Sequence, residues 1–202
     1  GKAAWQMAHA ARACLQDNFC GGVVVTKYGH VKGEIANVAC FEGGHPVPDE
    51  NSLRGTDAAL ALTEDLTESD TVVFLLSGGG SALFEKPLLP LAELQDVTNQ
   101  LLAAGADIVE INTIRKRLSA VKGGRFARHC APAQVFAVVL SDILGDPLDM
   151  IASGPTYPDS SSCAQALDIA KRYGLRLSER AWALLAQETP KTLTNVETQI
   201  TG

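Results

Sequence analysis

The chain has 202 residues, of which 46% are hydrophobic and 20% are charged, and its formal net charge is −6 at pH 7. This size and composition are typical of one globular α/β domain with a substantial core. The sequence contains no run of about 18 apolar residues, which argues against a membrane span. The acidic balance argues against a nucleic-acid-binding surface, because phosphate backbones select basic faces, although a local cationic pocket for a small anion stays compatible.

The sequence has five cysteines, an odd number, and no CxxC pair. This usage argues against a disulfide framework or a structural zinc site and indicates reduced, buried thiols in a cytoplasmic protein. The chain begins without Met, inside a helical pattern, and shows no signal peptide. We therefore expect a fragment of a longer protein, with 1–202 forming a single domain.

Strands alternate with helices along the chain. Apolar spacing predicts a helix over 2–16, and β-branched runs predict strands over 23–25 and 35–41. The carboxylate of Asp49 is placed to cap a further helix that runs to about Leu66.

The second part of the chain continues the alternation, with two strands and four helices, and a polar stretch over 187–199 precedes its last residues. The remaining strands are predicted over 71–74 and 135–140, and the helices over 90–104, 107–121, 162–173 and 178–187. This order predicts a three-layer, Rossmann-like α/β domain with a mainly parallel sheet. In such sheets, ligands bind beyond the carboxyl ends of the strands.

Three glycines between two serines follow the strand 71–74. The segment consists of Ser77, Gly78, Gly79, Gly80 and Ser81. Without Cβ atoms, several backbone N–H groups can turn toward one point and approach an oxyanion such as phosphate or carboxylate. A helix starting just after the loop would favour that use, whereas a flexible strand-to-helix connection is the alternative.

The predicted helix 107–121 carries an apolar stripe beside a polar one. The apolar stripe contains Ile111, Ile114, Leu118 and Val121, and the polar stripe contains Asn112, Arg115, Ser119 and Lys122. A polar stripe that borders the core is placed to line a cleft, where Arg115 could bind an oxyanion bidentately and Lys122 could add a point charge. A solvated basic face is the alternative.

Two aspartates follow the strand 135–140 in the loop from Ser141 to Pro147. Asp142 and Asp146 offer oxygen ligands of the kind that Mg²⁺ takes together with substrate phosphates. A turn in which both carboxylates cap local N–H groups is the alternative.

Lys2 opens an alanine-rich helix, where its charge opposes the helix dipole. That placement indicates a functional residue, with an irregular chain end as the alternative. For His45, between Gly44 and Pro46, we expect a hydrogen-bonded turn histidine that could also shape a pocket.

These segments together resemble the class II glycerate kinase family, the glycerate 2-kinases associated with the MOFRL domain. Many members of that family carry the name hydroxypyruvate reductase. The matching segments spread over most of the chain in one order. They are 1–4, 44–49, 77–83, 112–124, 141–146 and 151–156.

The resemblance implies ATP-dependent phosphorylation of D-glycerate to 2-phosphoglycerate with Mg²⁺, in a cleft between two domains. It implies that Lys2 acts in catalysis and that the 78–80 loop, Arg115 and Lys122 bind anions. It also implies a C-terminal MOFRL domain as a partner that this chain lacks, so we expect the isolated chain to be inactive. Which anion each group holds stays open, as does whether Asp142 or Asp146 binds metal or orients the substrate hydroxyl.

Two other functions are kept as alternatives. An NAD(P)H-dependent hydroxypyruvate reductase would need a GxGxxG fingerprint, and the segment 77–83 lacks the third glycine at that spacing. A non-catalytic module that binds a small anion and regulates a partner is the other. The sequence predicts neither a nucleic acid nor a membrane as partner, and it leaves a homodimer open.

Overall fold

Helices and strands alternate in the computed structural model, which describes residues 1–140 and 148–201. The helices are α1 (Ala4–Leu15), α2 (Glu50–Leu62), α3 (Gly80–Leu83), α4 (Leu91–Ala103), α5 (Ile108–Arg117), α6 (Arg125–Cys130), α7 (Cys163–Arg172) and α8 (Glu179–Leu185). The strands are β1 (Gly22–Lys27), β2 (Val38–Gly43), β3 (Thr71–Ser77), β4 (Gln134–Leu140) and β5 (Val196–Thr201). The predicted α/β class with parallel strands is confirmed.

The strands form two parallel sheets rather than the one sheet expected. One sheet pairs β1 with β2, and the other has the order β3-β4-β5. The first residues of the chain lie between the two sheets: the Gly1 nitrogen donates to Val25 O at 3.0 Å, and Lys2 N donates to Gly78 O at 2.8 Å. This segment therefore joins the carboxyl ends of β1 and β3.

The apolar stripe predicted on 107–121 is divided between two core clusters. Ile111, Ile114 and Leu118 lie in the largest one, which α4, α5, α7 and α8 build together, whereas Val121 packs in a second one with Phe126. The four residues of the stripe are at most 6% exposed. Leu118, for example, is fully buried in a cluster with Leu101 and Leu185. Full burial of a leucine side chain contributes roughly 1.5–3 kcal/mol, so this cluster fixes α5 firmly behind the glycine loop.

The predicted cap of α2 is confirmed. Asp49 Oδ1 accepts from Ser52 N at 2.9 Å, and Ser52 Oγ accepts from Asp49 N at 2.8 Å. The helix ends at Leu62, four residues before the predicted end, because Thr63 leaves helical geometry and Asp65 takes a positive φ of 58°.

Strand β5 was not predicted. It is an edge strand with mostly exposed residues, and it is defined by its pairing with β4, for example Val138 with Gln199. All five cysteines are free, but the prediction of buried thiols holds fully only for Cys130. Cys14 and Cys20 are exposed, and Cys40 and Cys163 are partly exposed. Burial raises the pKa of the Cys130 thiol to about 11.

The helices of the described ranges are all too short or too polar to cross a membrane.

Glu188 caps α7 from a distance in sequence. Its Oε1 accepts from Cys163 N at 2.9 Å, and its Oε2 lies 3.0 Å from Lys191 Nζ. These contacts, the Cys163 hydrogen bond first, lower the pKa of Glu188 to about 2 from 4.5. A carboxyl with a lowered folded-state pKa stabilises the fold above its unfolded pKa and loses that contribution as the pH falls through the folded value.

We therefore expect Glu188→Gln to lower the free energy of unfolding by about 0.5–1 kcal/mol at pH 7. The effect is small because the carboxylate is 45% exposed and water screens it. Urea unfolding of both proteins at pH 7, 4 and 3 should show the gap narrowing with acid, with the exposed Glu64→Gln as control. A difference in unfolding free energy that stays the same at all three pH values would contradict the lowered pKa of Glu188.

Candidate functional site

The glycine loop has the predicted strand–loop–helix setting. Strand β3 ends at Ser77, Gly79 takes a φ of +85°, and the short helix α3 begins at Gly80. Among the described residues, no acceptor is hydrogen-bonded to the N–H groups of Gly79 and Gly80. Within the ranges 1–140 and 148–201, these two N–H groups are thus left as donors for a ligand beyond the carboxyl end of β3.

Lys2 is fixed to this loop through its backbone, while its side chain is exposed. Besides the bond from Lys2 N to Gly78 O, the carbonyl of Lys2 accepts from Thr26 Oγ1 at 3.4 Å and lies 2.9 Å from His30 Nδ1. A Cβ placed on Gly79 would lie 3.4 Å from Lys2 Cγ. The aliphatic part of the side chain thus passes over Gly79, within reach of a ligand on the loop.

His45 packs on the same glycine, a contact that sequence analysis did not anticipate. A Cβ on Gly79 would lie 2.8 Å from His45 Cδ2 and 3.0 Å from His45 Nε2, so only glycine fits between the ring and the loop. Burial, and then the charges of Lys2, Lys27 and the Gly1 amine, lower the pKa of His45. The sequence placed His45 in a turn between Gly44 and Pro46, within the resemblance segment 44–49, but it gave no indication of the contact with Gly79.

Arg115 and Lys122 contact the other end of the loop segment. Arg115 donates to Ser81 O at 3.1 Å, and Lys122 Nζ donates to Ser81 O at 2.9 Å and to Phe84 O at 3.1 Å. Both cations lie near the fully buried carboxylate of Glu85, Arg115 at 3.4 Å and Lys122 at 3.5 Å. They hold the end of α3 in place.

Lys122 has no donor left over in this arrangement. Its ammonium has three N–H donors and three oxygen neighbours, from Ser81, Phe84 and Glu85. Its side chain is fully buried, and burial lowers its pKa to about 8. The alternative of a solvated basic face is therefore wrong for Lys122 and for Asn112, which is 3% exposed.

Asn112 reaches the glycine loop through Ser153. Ser153 Oγ donates to Asn112 Oδ1 at 2.8 Å and lies 3.4 Å from Ser81 Oγ. Ser153 and the preceding Ala152 both have positive φ, 61° and 51°. Such strain costs on the order of 1–3 kcal/mol per residue and concentrates at functional sites, which adds the 152–154 turn to the site.

The strained turn packs closely against the start of α3. A Cβ on Gly80 would lie 2.7 Å from Ala152 Cβ and 2.9 Å from Leu76 Cδ1. We expect Gly80→Ala to cost about 1–3 kcal/mol of unfolding free energy through overpacking. Gly21→Ala, whose Cβ would have 3.7 Å to its nearest neighbours, is the matched control with little expected change.

A second variant tests the same contact from the other side. Adding Ala152→Gly to Gly80→Ala removes the opposing Cβ and also suits the positive φ of residue 152. Thermal unfolding should show recovery of most of the loss. A double variant as unstable as Gly80→Ala alone would mean that the Ala152 contact is not the cause.

Four buried charges fasten the segment 149–161 to α5. Lys116 Nζ lies 3.2 Å from Asp149 Oδ2 and 3.0 Å from Asp159 Oδ1, and Arg117 lies 3.6 Å from Asp159 Oδ2. Lys116, Arg117 and Asp159 have fully buried side chains. This buried ion cluster holds the segment that carries Ser153, so it positions the site without touching the loop.

The predicted metal ligands Asp142 and Asp146 lie outside the described residues. Within the ranges 1–140 and 148–201, no group of three or more His, Cys, Asp or Glu side chains could hold a metal ion. The prediction of a Mg²⁺ site in 141–147 therefore stays a prediction.

These features define a parallel α/β domain with a candidate oxyanion site where β3 ends. A family profile described as a domain of unknown function, DUF4147, matches residues 1–186. The chain belongs to this family.

Relatives of known name agree with the family resemblance found in the sequence. The chain is 55% identical to a D-glycerate 2-kinase of Thermotoga maritima, over 100% of this chain and 49% of that protein. It is 44% identical to a glycerate 2-kinase of Pyrococcus horikoshii, over 87% of this chain and 39% of that protein. It is also 44% identical to a putative hydroxypyruvate reductase of Agrobacterium vitis, over 95% of this chain and 44% of that protein.

Solved structures give the same result. The crystal structure of glycerate kinase from Thermotoga maritima matches 99% of this chain and 49% of that chain, with a TM-score of 0.96 and 55% identity. The crystal structure of a Pyrococcus horikoshii protein matches with a TM-score of 0.92 and 39% identity, over 99% of this chain and 48% of that chain. The chain thus spans about half the length of these relatives.

Proposed function

We propose that the protein carrying this domain transfers a phosphoryl group from ATP to D-glycerate and forms 2-phosphoglycerate. The observation that carries the proposal is the placement of Lys2, whose backbone is hydrogen-bonded to Gly78 and whose exposed side chain passes over Gly79. The names of the Thermotoga and Pyrococcus relatives support this reaction class.

The geometry suits phosphoryl transfer, in which positioning and charge neutralisation matter more than covalent chemistry. Lys2 would stabilise negative charge on the transferring group, and the backbone donors of the 77–81 loop would hold a phosphate or the glycerate carboxylate. Asn112, through Ser153, would keep Ser81 in place.

Arg115 and Lys122 enter the proposal mainly as supports of the loop. Both donate to Ser81 O, and the three donors of Lys122 are engaged. Direct contact of either cation with an anion stays a prediction. For Lys122 such contact requires a rearrangement of these hydrogen bonds, whereas Arg115 donates to the described residues only from Nη2 and could offer its other donors as it stands.

Mg²⁺ belongs to the proposal as the ion that neutralises charge on the nucleotide phosphates. Asp142 and Asp146 are the residues that would hold it, and Asp142 could instead orient the attacking hydroxyl. Both roles rest on the sequence, since these residues lie outside the described ranges.

A second domain completes the proposed enzyme. This chain covers 49% of the Thermotoga relative in both sequence and structure, so that relative is about twice as long as the aligned region. We propose that 1–202 is one domain, that the MOFRL domain is its partner in the same protein, and that the active site lies between the two. A cytoplasmic location and a homodimer also stay proposals.

The reductase alternative is less well supported. Two relatives are named putative hydroxypyruvate reductase, at 44% and 41% identity. However, the segment 77–83 lacks the dinucleotide fingerprint, and the helix after it has only four residues.

The test is an assay of the full-length protein with D-glycerate, ATP and Mg²⁺, in which NMR identifies the phosphoglycerate isomer. Formation of 2-phosphoglycerate supports the kinase. NAD(P)H oxidation with hydroxypyruvate, without phosphoryl transfer, would replace it with the reductase. Nucleotide or phosphate binding without either reaction would favour the non-catalytic module. The isolated chain is expected to show negligible turnover.

A further inference from the structure

Two basic side chains, Lys2 and His45, lie against Gly79, and a third, Lys27, is near enough to His45 for its charge to act on that ring. Lys2 precedes α1, Lys27 is the last residue of β1, and His45 follows β2 by two residues. We name the two lysines Lys2 and Lys27 together with the imidazole of His45 the basic cluster. All three lie at carboxyl ends of parallel strands or between them, which is where α/β folds bind ligands.

Contacts hold two of its members on the loop. Lys2 is bonded to Gly78 through its backbone, and the His45 ring leaves no space for a side chain on Gly79. Lys27 follows Thr26, whose hydroxyl donates to the Lys2 carbonyl. The end of β1 is therefore fastened to the same segment that carries Lys2.

Lys2 and Lys27 carry positive charge that no carboxylate of the ranges 1–140 and 148–201 neutralises. In the described part of the chain, no member of the cluster forms an ion pair. The carboxylates of the β2 end are committed elsewhere: Glu42 Oε1 accepts from Val31 N at 2.8 Å, and Asp49 caps α2 and accepts from the Tyr28 hydroxyl at 2.7 Å.

This concentration of positive charge occurs in a chain whose formal net charge is −6. Like charges held near one another repel, so an anion bound among them would relieve that repulsion and be attracted by both lysines. The mutual effect is visible at His45, where burial and then the two lysine charges lower the pKa.

We propose that Lys27 and His45 complete an oxyanion site together with Lys2 and the glycine loop. The proposal deepens the function proposed above and rests on it for the identity of the ligand, either a phosphate of the nucleotide or the carboxylate of glycerate. Lys27 supplies charge from one edge of the site, and the His45 ring donates a hydrogen bond from Nε2 or Nδ1 to the anion. Neither residue reacts covalently.

Two variants of the full-length protein test the site. Lys27→Met removes the charge but keeps the length of an exposed side chain, so the fold should be unaffected. His45→Gln keeps a hydrogen-bond donor without the ring. The matched control is Lys171→Met, which removes an exposed lysine of α7.

We expect Lys27→Met to raise the KM of one substrate about tenfold and leave the other within about twofold, with His45→Gln acting several-fold in the same direction. An effect on the KM of ATP identifies the ligand as phosphate, and an effect on the KM of glycerate identifies it as the carboxylate. Calorimetric titration with inorganic phosphate should show the same weakening, independently of turnover.

The two proposals can fail separately. If the wild type forms 2-phosphoglycerate but both variants keep both KM values and phosphate affinity within twofold, the oxyanion site is wrong and the kinase stands. If no product forms but Lys27→Met weakens phosphate binding about tenfold, the site stands and the kinase is wrong. Thermal unfolding checks that the His45→Gln protein is folded. If the His45→Gln protein does not fold, the result for Lys27→Met alone decides the outcome.

Discussion

Asp159→Asn is expected to lower the free energy of unfolding by about 3–5 kcal/mol, the largest stability effect we predict for one substitution. Asp159 is fully buried between Lys116 and Arg117, which are themselves fully buried. Asparagine keeps the shape of the side chain but removes its charge. Two cations would then remain in the interior with Asp149 and the half-exposed Glu188 as their remaining partners.

The hydrogen bonds of Asp159 explain why its charge is maintained. Burial raises the pKa of this carboxyl, but hydrogen bonds from Thr189 and Ser161 and the charge of Lys116 together lower it by more. The net shift of the pKa is therefore downward. A carboxyl with a lowered folded-state pKa stabilises the fold above its unfolded pKa and loses the contribution in acid. The difference between the two proteins should therefore be largest near neutral pH and shrink below about pH 4.

Urea unfolding with a matched control measures the effect. Asp168→Asn removes a carboxylate that is 74% exposed and pairs with Arg172 on the surface, so we expect a change within about 0.5 kcal/mol. The single variant Lys116→Met and the double variant with Asp159→Asn complete a double-mutant cycle. The coupling free energy between Lys116 and Asp159 should exceed about 1 kcal/mol. Equal losses for Asp159→Asn and Asp168→Asn would show that the buried ion cluster contributes nothing beyond a surface pair.

The sequence predicted those parts of the fold that depend on neighbouring residues. The stripe residues of 107–121 are buried as their helical spacing predicted, but the helix ends at Arg117, four residues before its predicted end, so Val121 lies beyond it. The cap at Asp49 and the break at Gly105 depend on residues within one turn of the helix end. Strand β5 could not be predicted, because its polar residues are held in a strand by pairing with β4 rather than by their own preference.

The same distinction divides the candidate site. The glycine loop and Lys2 stand out in the sequence, since unusual residues occur together there. The burial of Lys116 depends on Asp159, 43 positions away, and the contact of His45 with Gly79 joins two loops from different sheets. Contacts of this kind depend on packing over long range, which periodicity does not encode.

Lys2→Ala in the full-length protein is expected to abolish turnover, with a loss of at least about 10³-fold in kcat, while the fold remains intact. The activity estimate follows from removal of a positioned charge that acts on the transferring phosphoryl group. The fold is expected to persist because Lys2 forms its hydrogen bonds through its backbone. Its N–H donates to Gly78 O, and its carbonyl accepts from Thr26 Oγ1. Alanine retains both.

Steady-state kinetics and thermal unfolding together decide this prediction. Lys171→Ala, which removes an exposed lysine of α7, should leave both kcat and the melting temperature unchanged. A Lys2→Ala protein that melts like the wild type but shows no turnover assigns the loss to the side chain rather than to the backbone. Turnover within tenfold of the wild type would remove Lys2 from the catalytic residues. If phosphoryl transfer limits the rate, loss of a lysine that stabilises the transferring group must slow turnover by more than that.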